Sequence, residues 1–426
     1  MRSSPCLTKG SSLSLQQQHS GVAKKDLTPD VARARAALGD VVRRTPVLSS
    51  RTISERCGAT VALKAENLQR TGSFKLRGAL AKLAALGDGC AAGVVTGSAG
   101  NHGQALAYAA RVRGVRCEVY MPASAPIAKV EAASALGAEV HVAGEHVIDA
   151  LVAAEERAAE AGLAMVHPFE DLDVIAGQGT IGLELLEDVE DLAAVVLPIG
   201  GGGLASGVAI ALKERRPEVR VVGVQAEACA PVPASLRAGE PVHAARVLTI
   251  ADGIAVKQPG ALTLELLDRY VDDVVVVPED DIADAMVLLL ERAKLVVEGA
   301  GAVGVAALLG GRVDCPGSGT VVAVLSGGNV DAGLLASIAR RHESEAGRRL
   351  VLLTRMDDRP GALARLLAVV AEYGANLVEV SHVREGLDLH VRETAVELVL
   401  ETRSREHAGE CVEAVVAAGY EVRVLR

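Results

Sequence analysis

Three glycine-bearing loops hold the residues of this 426-residue chain whose types and spacing suit chemistry. They are Gly97-Ser98-Ala99-Gly100-Asn101-His102-Gly103, Gly200-Gly201-Gly202-Gly203-Leu204 and Ser326-Gly327-Gly328-Asn329. Glycine has no Cβ, so its N–H groups can come close to an anion, and a helix starting behind such a loop points its positive end at that anion. The second loop, with a helix reading from about Leu204, fits a phosphate best. A glycine run can also be a tight turn that binds nothing.

A dinucleotide is the competing ligand. Gly200-x-Gly202-x-x-Ala205 satisfies the G-x-G-x-x-G/A pattern, and Glu227 lies near the end of the next strand. Gly299-x-Gly301-x-x-Gly304 satisfies it too, but follows a helical stretch, Ile282 to Val297, which is the wrong context. A nicotinamide-dependent oxidoreductase therefore stands as an alternative.

Each loop follows a Val-rich run. Strand-like runs cover Val61 to Lys64, Gly93 to Thr96, Cys117 to Met121, Val195 to Pro198, Val219 to Val224 and Thr320 to Leu325. Helical stretches such as Ala125 to Leu136 and Ile148 to Ala161 lie between them, and Thr28-Pro29 reads as the N-cap and first position of an opening helix. This alternation is the pattern of an open, mainly parallel α/β sheet, which binds ligands at the carboxyl ends of its strands. The last stretch reads β (Leu350 to Thr354), α (Pro360 to Tyr373), β (Asn376 to His382), β (Glu393 to Glu401), α (Arg405 to Ala418), β (Glu421 to Leu425), a separate ferredoxin-like βαββαβ unit.

Composition removes other classes. Lys+Arg total 44 against 54 Asp+Glu, a net charge of −10, which argues against a nucleic-acid surface. Five Tyr, two Phe and no Trp leave an aliphatic core and no aromatic belt for a membrane interface. Two uncharged runs, Gly89 to Ala110 and Ala193 to Leu212, are long enough to span a bilayer. Asn101, His102 and Gln104 in the first, and Pro198 with four glycines in the second, exclude that reading. The seven cysteines are scattered without a CxxC pair, as in a cytoplasmic protein with reduced thiols. Residues 1–26 lack an apolar secretory segment and read as a disordered tail, although their basic, Ser-rich start is faintly like a transit peptide.

What separates the candidate ligands is the segment Thr71-Gly72-Ser73-Phe74-Lys75-Leu76-Arg77-Gly78-Ala79. Alone, a lysine at a helix start is usually a solvated group. Together with Ser98-Ala99-Gly100-Asn101-His102-Gly103-Gln104, His167-Pro168-Phe169-Glu170, Gly177-Gln178-Gly179-Thr180 and the other two loops, it resembles the serine/threonine dehydratase family of fold-type II pyridoxal-phosphate enzymes. The resemblance covers about residues 30 to 340.

The resemblance implies a two-lobed, tryptophan-synthase-β-like catalytic region over 27–345, with the smaller lobe at about 60–160, and pyridoxal phosphate as cofactor. Lys75 would hold the cofactor as a Schiff base and later take the substrate's Cα proton. Asn101 would hydrogen-bond the cofactor's 3-oxygen, and Gly200, Gly201, Gly202, Gly203 and Leu204 would cradle its phosphate. Ser98, Ala99, Gly100, Asn101 and His102 would receive the substrate carboxylate. Ser326 would face the pyridine nitrogen, where a neutral hydroxyl suits β-elimination. His102 would be a structural neighbour of Asn101 without an acid/base role.

The implied reaction turns L-threonine into 2-oxobutanoate and ammonia, and L-serine into pyruvate. Serine dehydratase and serine racemase are the family alternatives, but racemases carry a serine where Ala99 stands, which disfavours racemisation. In divalent-metal members an acidic residue is followed four and six positions on by a small residue and an aspartate. Here Glu227 is followed by Pro231 and Pro233, so the expected ion is monovalent or none.

Residues 349–426 resemble an ACT regulatory domain. Asp358-Arg359-Pro360-Gly361-Ala362-Leu363 opens its first helix, and Gly374-Ala375-Asn376-Leu377 turns into its second strand. This implies an amino-acid effector, isoleucine or valine, near Gly361 and Asn376, and an allosteric, cytoplasmic homo-oligomer (dimer or tetramer) of isoleucine biosynthesis or threonine catabolism. A packing module that binds nothing, or a non-enzymatic amino-acid sensor, is the alternative.

Overall fold

The computed structural model describes residues 28–245, 247–384 and 389–425; the expected tail at 1–26 lies outside them. In chain order the strands are β1 (Val47–Ser49), β2 (Thr60–Lys64), β3 (Val94–Gly97), β4 (Cys117–Met121), β5 (Glu139–Val142), β6 (Ala164–Met165), β7 (Leu192–Pro198), β8 (Arg220–Ala226), β9 (Asp273–Val277) and β10 (Thr320–Val324). Four more follow: β11 (Arg349–Asp357), β12 (Asn376–Val383), β13 (Glu393–Glu401) and β14 (Val422–Leu425). Short aliphatic runs buried on both faces are what a central parallel strand demands, and β7 and β10 are of this kind.

The larger sheet has the order β1-β2-β10-β7-β8-β9, parallel except for edge strand β1, which runs antiparallel to β2. Aliphatic clusters cover its two faces. The smaller sheet, β5-β4-β3-β6, is wholly parallel and drawn from residues 94–165. Strand β2, expected within the smaller lobe at about 60–160, pairs with β10 in the larger sheet, so the lobe border falls after it.

Two helices differ from expectation in ways that bear on the site. The opening helix is Val31–Leu38, capped by Asp30, whose carboxylate accepts from the Arg33 N–H at 2.8 Å; Thr28-Pro29 stays outside it. The helix expected over Ile282 to Val297 is α-helical only over Glu279–Leu288. It widens into a π turn at Leu289–Ala293 and stops at Lys294, whose φ of 60° is the one positive φ outside glycine among the described residues. Hydrophobic spacing could not show the inserted turn.

Three helices position the catalytic region. Leu172–Asp188 crosses both Lys75–Leu86 and Gly203–Lys213. A Cβ on Gly177 would lie 2.5 Å from the Arg77 carbonyl oxygen, and one on Gly78 would lie 2.2 Å from Gln178 Nε2. The Gly177-Gln178-Gly179-Thr180 motif is thus a packing device that lets backbones approach. Below it Arg77, fully buried, donates to Glu66 Oε1 at 2.8 Å and Glu184 Oε1 at 2.6 Å. Buried Lys64 completes the network, donating to Glu184 Oε2 at 2.6 Å and the Thr45 carbonyl at 2.7 Å.

The C-terminal unit forms the sheet β12-β13-β11-β14, with every neighbouring pair antiparallel. Helices Ala362–Glu372 and Arg405–Ala417 complete the expected βαββαβ order, and Leu352, Leu366, Val396, Leu398 and Val415 lie in its core. Its attachment is polar. Thr402 Oγ1 donates to the Gly347 carbonyl at 2.6 Å, and Arg348 bonds Glu343 at 2.7 Å and Glu291 of the π turn at 3.4 Å.

Among the described residues no helix is long and apolar enough to cross a membrane, and the six described cysteines are free thiols.

Candidate active site

Lys75 is the first residue of its helix and is stitched to the third glycine loop by backbone bonds. The Phe74 N–H donates to the Ser326 carbonyl at 3.1 Å, Gly328 N–H to the Gly72 carbonyl at 2.9 Å, and Ser73 bridges Gly327. Its half-buried side chain donates from Nζ to the Pro168 carbonyl at 2.9 Å. Burial, against the pull of Glu298, lowers the amine to about 8. Near neutral pH such an amine has an accessible uncharged form, which a nucleophile or a proton acceptor needs.

The His167-Pro168-Phe169-Glu170 motif braces two of the loops. Pro168 holds Lys75, and a Cβ on Gly201 would fall 2.2 Å from the Phe169 ring. Glu170 accepts from the Leu262 N–H at 2.6 Å and from Thr263 Oγ1 at 3.1 Å, tying in helix Ala261–Tyr270. That helix lies against Gly202, whose φ of 96° and close Thr263 contact exclude a side chain. The run Gly200 to Leu204 sits at the carboxyl end of β7 and leads into helix Gly203–Lys213, so first-turn N–H groups without intrahelical partners face the loop.

Ser98 to His102 occupy the equivalent place after β3. Ser98 Oγ accepts from the Gly100 N–H at 3.2 Å, and helix Asn101–Arg113 begins there. Buried His102 donates from Nε2 to the Val166 carbonyl at 2.9 Å. Burial and Lys75 lower it to about 3, so it is neutral, and its Nδ1 has no partner.

Asn101 is held from two sides. Its Oδ1 accepts from Asn329 Nδ2 at 2.7 Å, and its Nδ2 donates to Glu298 Oε1 at 2.7 Å. Glu298 was not singled out in the sequence; its signal is a lone acid between the aliphatic run Leu295 to Val297 and Gly299. It is 4% exposed, and burial, reinforced by Asp252, raises its carboxyl to about 7. Outside this cluster, Lys129 Nζ and Asp252 Oδ2 meet at 2.5 Å, joining the helix Ile127–Ala135 to the turn Asp252–Ile254.

Of the features that suggested a dinucleotide, the second glycine pattern is out of place. Glu227 is exposed, and Gly299, Gly301 and Gly304 lie within the helix Gly299–Leu309. In the C-terminal unit, Gly361 caps a helix at the Asp357 end of the sheet, while Asn376 is in register with Glu401 at the Arg349 end. One domain does not bring those two together.

The cleft residues fit a pyridine aldehyde phosphate. They combine an amine of lowered pKa, an asparagine N–H, the buried Ser326 hydroxyl, helix-start N–H groups and, in the residue two before Lys75, the fully buried Ser73 Oγ without a partner.

Residues 38–327 match the family of pyridoxal-phosphate-dependent enzymes, and residues 350–417 match the ACT domain. The chain belongs to the pyridoxal-phosphate-dependent enzymes, with pyridoxal phosphate as its cofactor. An L-threonine ammonia-lyase of Thermotoga maritima is 46% identical over 397 residues, 93% of this chain and 98% of that protein. A solved maize serine racemase superposes with a TM-score of 0.70 at 36% identity, covering 74% of this chain and 97% of its own. The processed form of threonine deaminase isoform 2 from Solanum lycopersicum gives a TM-score of 0.69 at 33% identity, covering 75% and 94%.

Proposed function

We propose that this chain is a lyase that converts L-threonine to 2-oxobutanoate and ammonia, and L-serine to pyruvate, in the cytoplasm as a homo-oligomer. The observation that carries the reading is the Lys75 amine of lowered pKa, placed where the first and third glycine loops meet and braced to the second. Likeness to the Thermotoga maritima ammonia-lyase through both the catalytic and ACT regions supports it.

In this reading the substrate carboxylate is taken up by N–H groups of Ser98 to His102, at the positive end of helix Asn101–Arg113. Neutral Lys75 takes the Cα proton. Pyridoxal phosphate, when bound, delocalises the electron pair left at Cα. The neutral Ser326 hydroxyl would face its ring nitrogen, Asn101 would hydrogen-bond its 3-oxygen, and Gly200 to Leu204 would hold its phosphate. The β-hydroxyl departs as water, and one water returns when the released imine hydrolyses, so the net products are the 2-oxo acid and ammonia. Ala99 supplies no proton to the opposite face, which favours elimination over racemisation.

Isoleucine or valine is the proposed effector of the ACT domain. Gly361 and Asn376, at opposite ends of one domain, contribute to a single effector site when two domains meet.

The test adds L-threonine to the pyridoxal-phosphate-loaded protein and follows 2-oxo acid release. Release by the natural chain, lost in Lys75→Ala, is expected; an active Lys75→Ala protein overturns the assignment.

A further inference from the structure

Glu298 is a buried acid beside the cleft with no part in the reaction steps above. Its Oε1 accepts from Asn101 Nδ2 at 2.7 Å. Asn329 Nδ2 donates both to the Thr71 carbonyl at 2.8 Å and to Asn101 Oδ1 at 2.7 Å. Asn329 can offer only hydrogens from that nitrogen, so Asn101 must present its oxygen to Asn329 and its nitrogen to Glu298. The chain Asn329, Asn101, Glu298 thereby leaves one Asn101 N–H uncommitted.

The carboxyl has little room to move. A Cβ on Gly327 would lie 2.3 Å from Glu298 Oε1, and one on Gly253 would lie 3.4 Å from it. Its backbone is pinned as well, the Glu298 N–H donating to the Gly327 carbonyl at 3.1 Å. The charged groups acting on it are Lys75 on one helix, Lys129 on another and Asp252 on the adjoining turn.

We propose that Glu298 is a positioning residue: it fixes the Asn101 amide so that the remaining N–H meets the cofactor's 3-oxygen, and it places a negative charge beside the linkage between Lys75 and the cofactor. This rests on the proposed roles of Lys75 and Asn101. Above about pH 7, where this carboxyl is ionised, the anion favours a protonated linkage, so its removal makes that linkage lose its proton at lower pH.

The test compares Glu298→Gln and Glu298→Ala with the natural holoenzyme by the pH midpoint of the cofactor's visible absorption band, pyridoxal-phosphate affinity and Tm. Glutamine keeps an acceptor oxygen but not the charge, and is expected to lower the midpoint by about one pH unit. Alanine, lacking the acceptor, is expected to weaken cofactor binding about tenfold. A purely structural role would lower Tm and leave the midpoint of Glu298→Gln in place. An unmoved midpoint in that variant overturns the proposal whether or not Glu298→Ala folds. Failure of the underlying reading is distinct: the band would then survive in Lys75→Ala.

Discussion

Gly207 and Gly179 lie back to back across two crossed helices, so close that a Cβ on Gly207 would stand 2.7 Å from the Gly179 nitrogen and 2.3 Å from the Ile175 carbonyl oxygen. One helix begins at the glycine run, and the other also crosses the helix headed by Lys75. Spacing between the amine and the glycine run is therefore set by glycine contacts one helical turn beyond each, at Gly78 and Gly207. Gly207→Ala must push the helices apart. It is expected to cost about 1–3 kcal/mol of stability, as overpacking does, and to weaken pyridoxal-phosphate binding in a titration of the cofactor-free protein.

Arg77 presents a different vulnerability. Its replacement by Met leaves fully buried Glu66 without its bonded cation and Glu184 with Lys64 alone. Removal of one partner from such a network costs about 3–5 kcal/mol. Urea unfolding of Arg77→Met is expected to show a loss of this size, and a loss under 1 kcal/mol would mean that water or Lys64 takes over, an order-of-magnitude distinction.

The lowered Lys75 pKa has a defined sign. Only the neutral amine attacks an aldehyde, so cofactor attachment to the cofactor-free protein should speed up about tenfold per pH unit on approach to the pKa, and level off above about 8. Between that value and the unfolded lysine value of about 10.4 the unfolded chain binds more protons, so stability of the cofactor-free protein should rise with pH across this window. Stopped-flow absorbance and pH-dependent unfolding check the two halves.

Lys129 and Asp252 join the two lobes over 2.5 Å, with Asp252 57% exposed, so water weakens the pair. Lys129→Met is expected to raise KM for threonine by up to about fivefold, in keeping with an exposed ion pair worth under about 1 kcal/mol, and to leave Tm nearly unchanged. An unchanged KM would show that the lobes close without this contact.

Much of this architecture was legible beforehand, for identifiable reasons. Strands β4 and β13 coincide with the expected spans because their aliphatic or alternating patterns end at clear breaks. The glycine loops were legible because each follows a strand-and-turn signal, whereas Lys75 and Asn101 stood out only through the family resemblance of the motifs that hold them. Glu298 was not, since its partner Asn101 is 197 positions away and nothing local marks the contact. The glycines of Gly177-Gln178-Gly179-Thr180 were visible, but their use in helix crossing depends on the distant Gly78 and Gly207.

Arg348 touches both the helix leading into the ACT domain, through Glu343, and the π turn, through Glu291. Arg348→Met is expected to blunt any response to isoleucine or valine while leaving the uninhibited rate within about twofold, because the pair is partly exposed and remote from the reacting atoms. Rate measurements with and without the amino acid decide it; a full response in the variant would exclude this contact as the link.

The π turn at Leu289–Ala293 also makes chain length matter more here than residue identity. Past Lys294 the chain to Glu298 is non-helical, so dropping one residue here and letting the turn close up shortens the reach to Glu298 by up to about 3.5 Å, more than its 2.7 Å bond to Asn101 can absorb. Substitutions on the turn's exposed side change a surface; a one-codon deletion would unseat a buried acid. The stretch from Leu289 to Glu298 is in effect a ruler, and natural variation within it should show exchanged letters and a constant count.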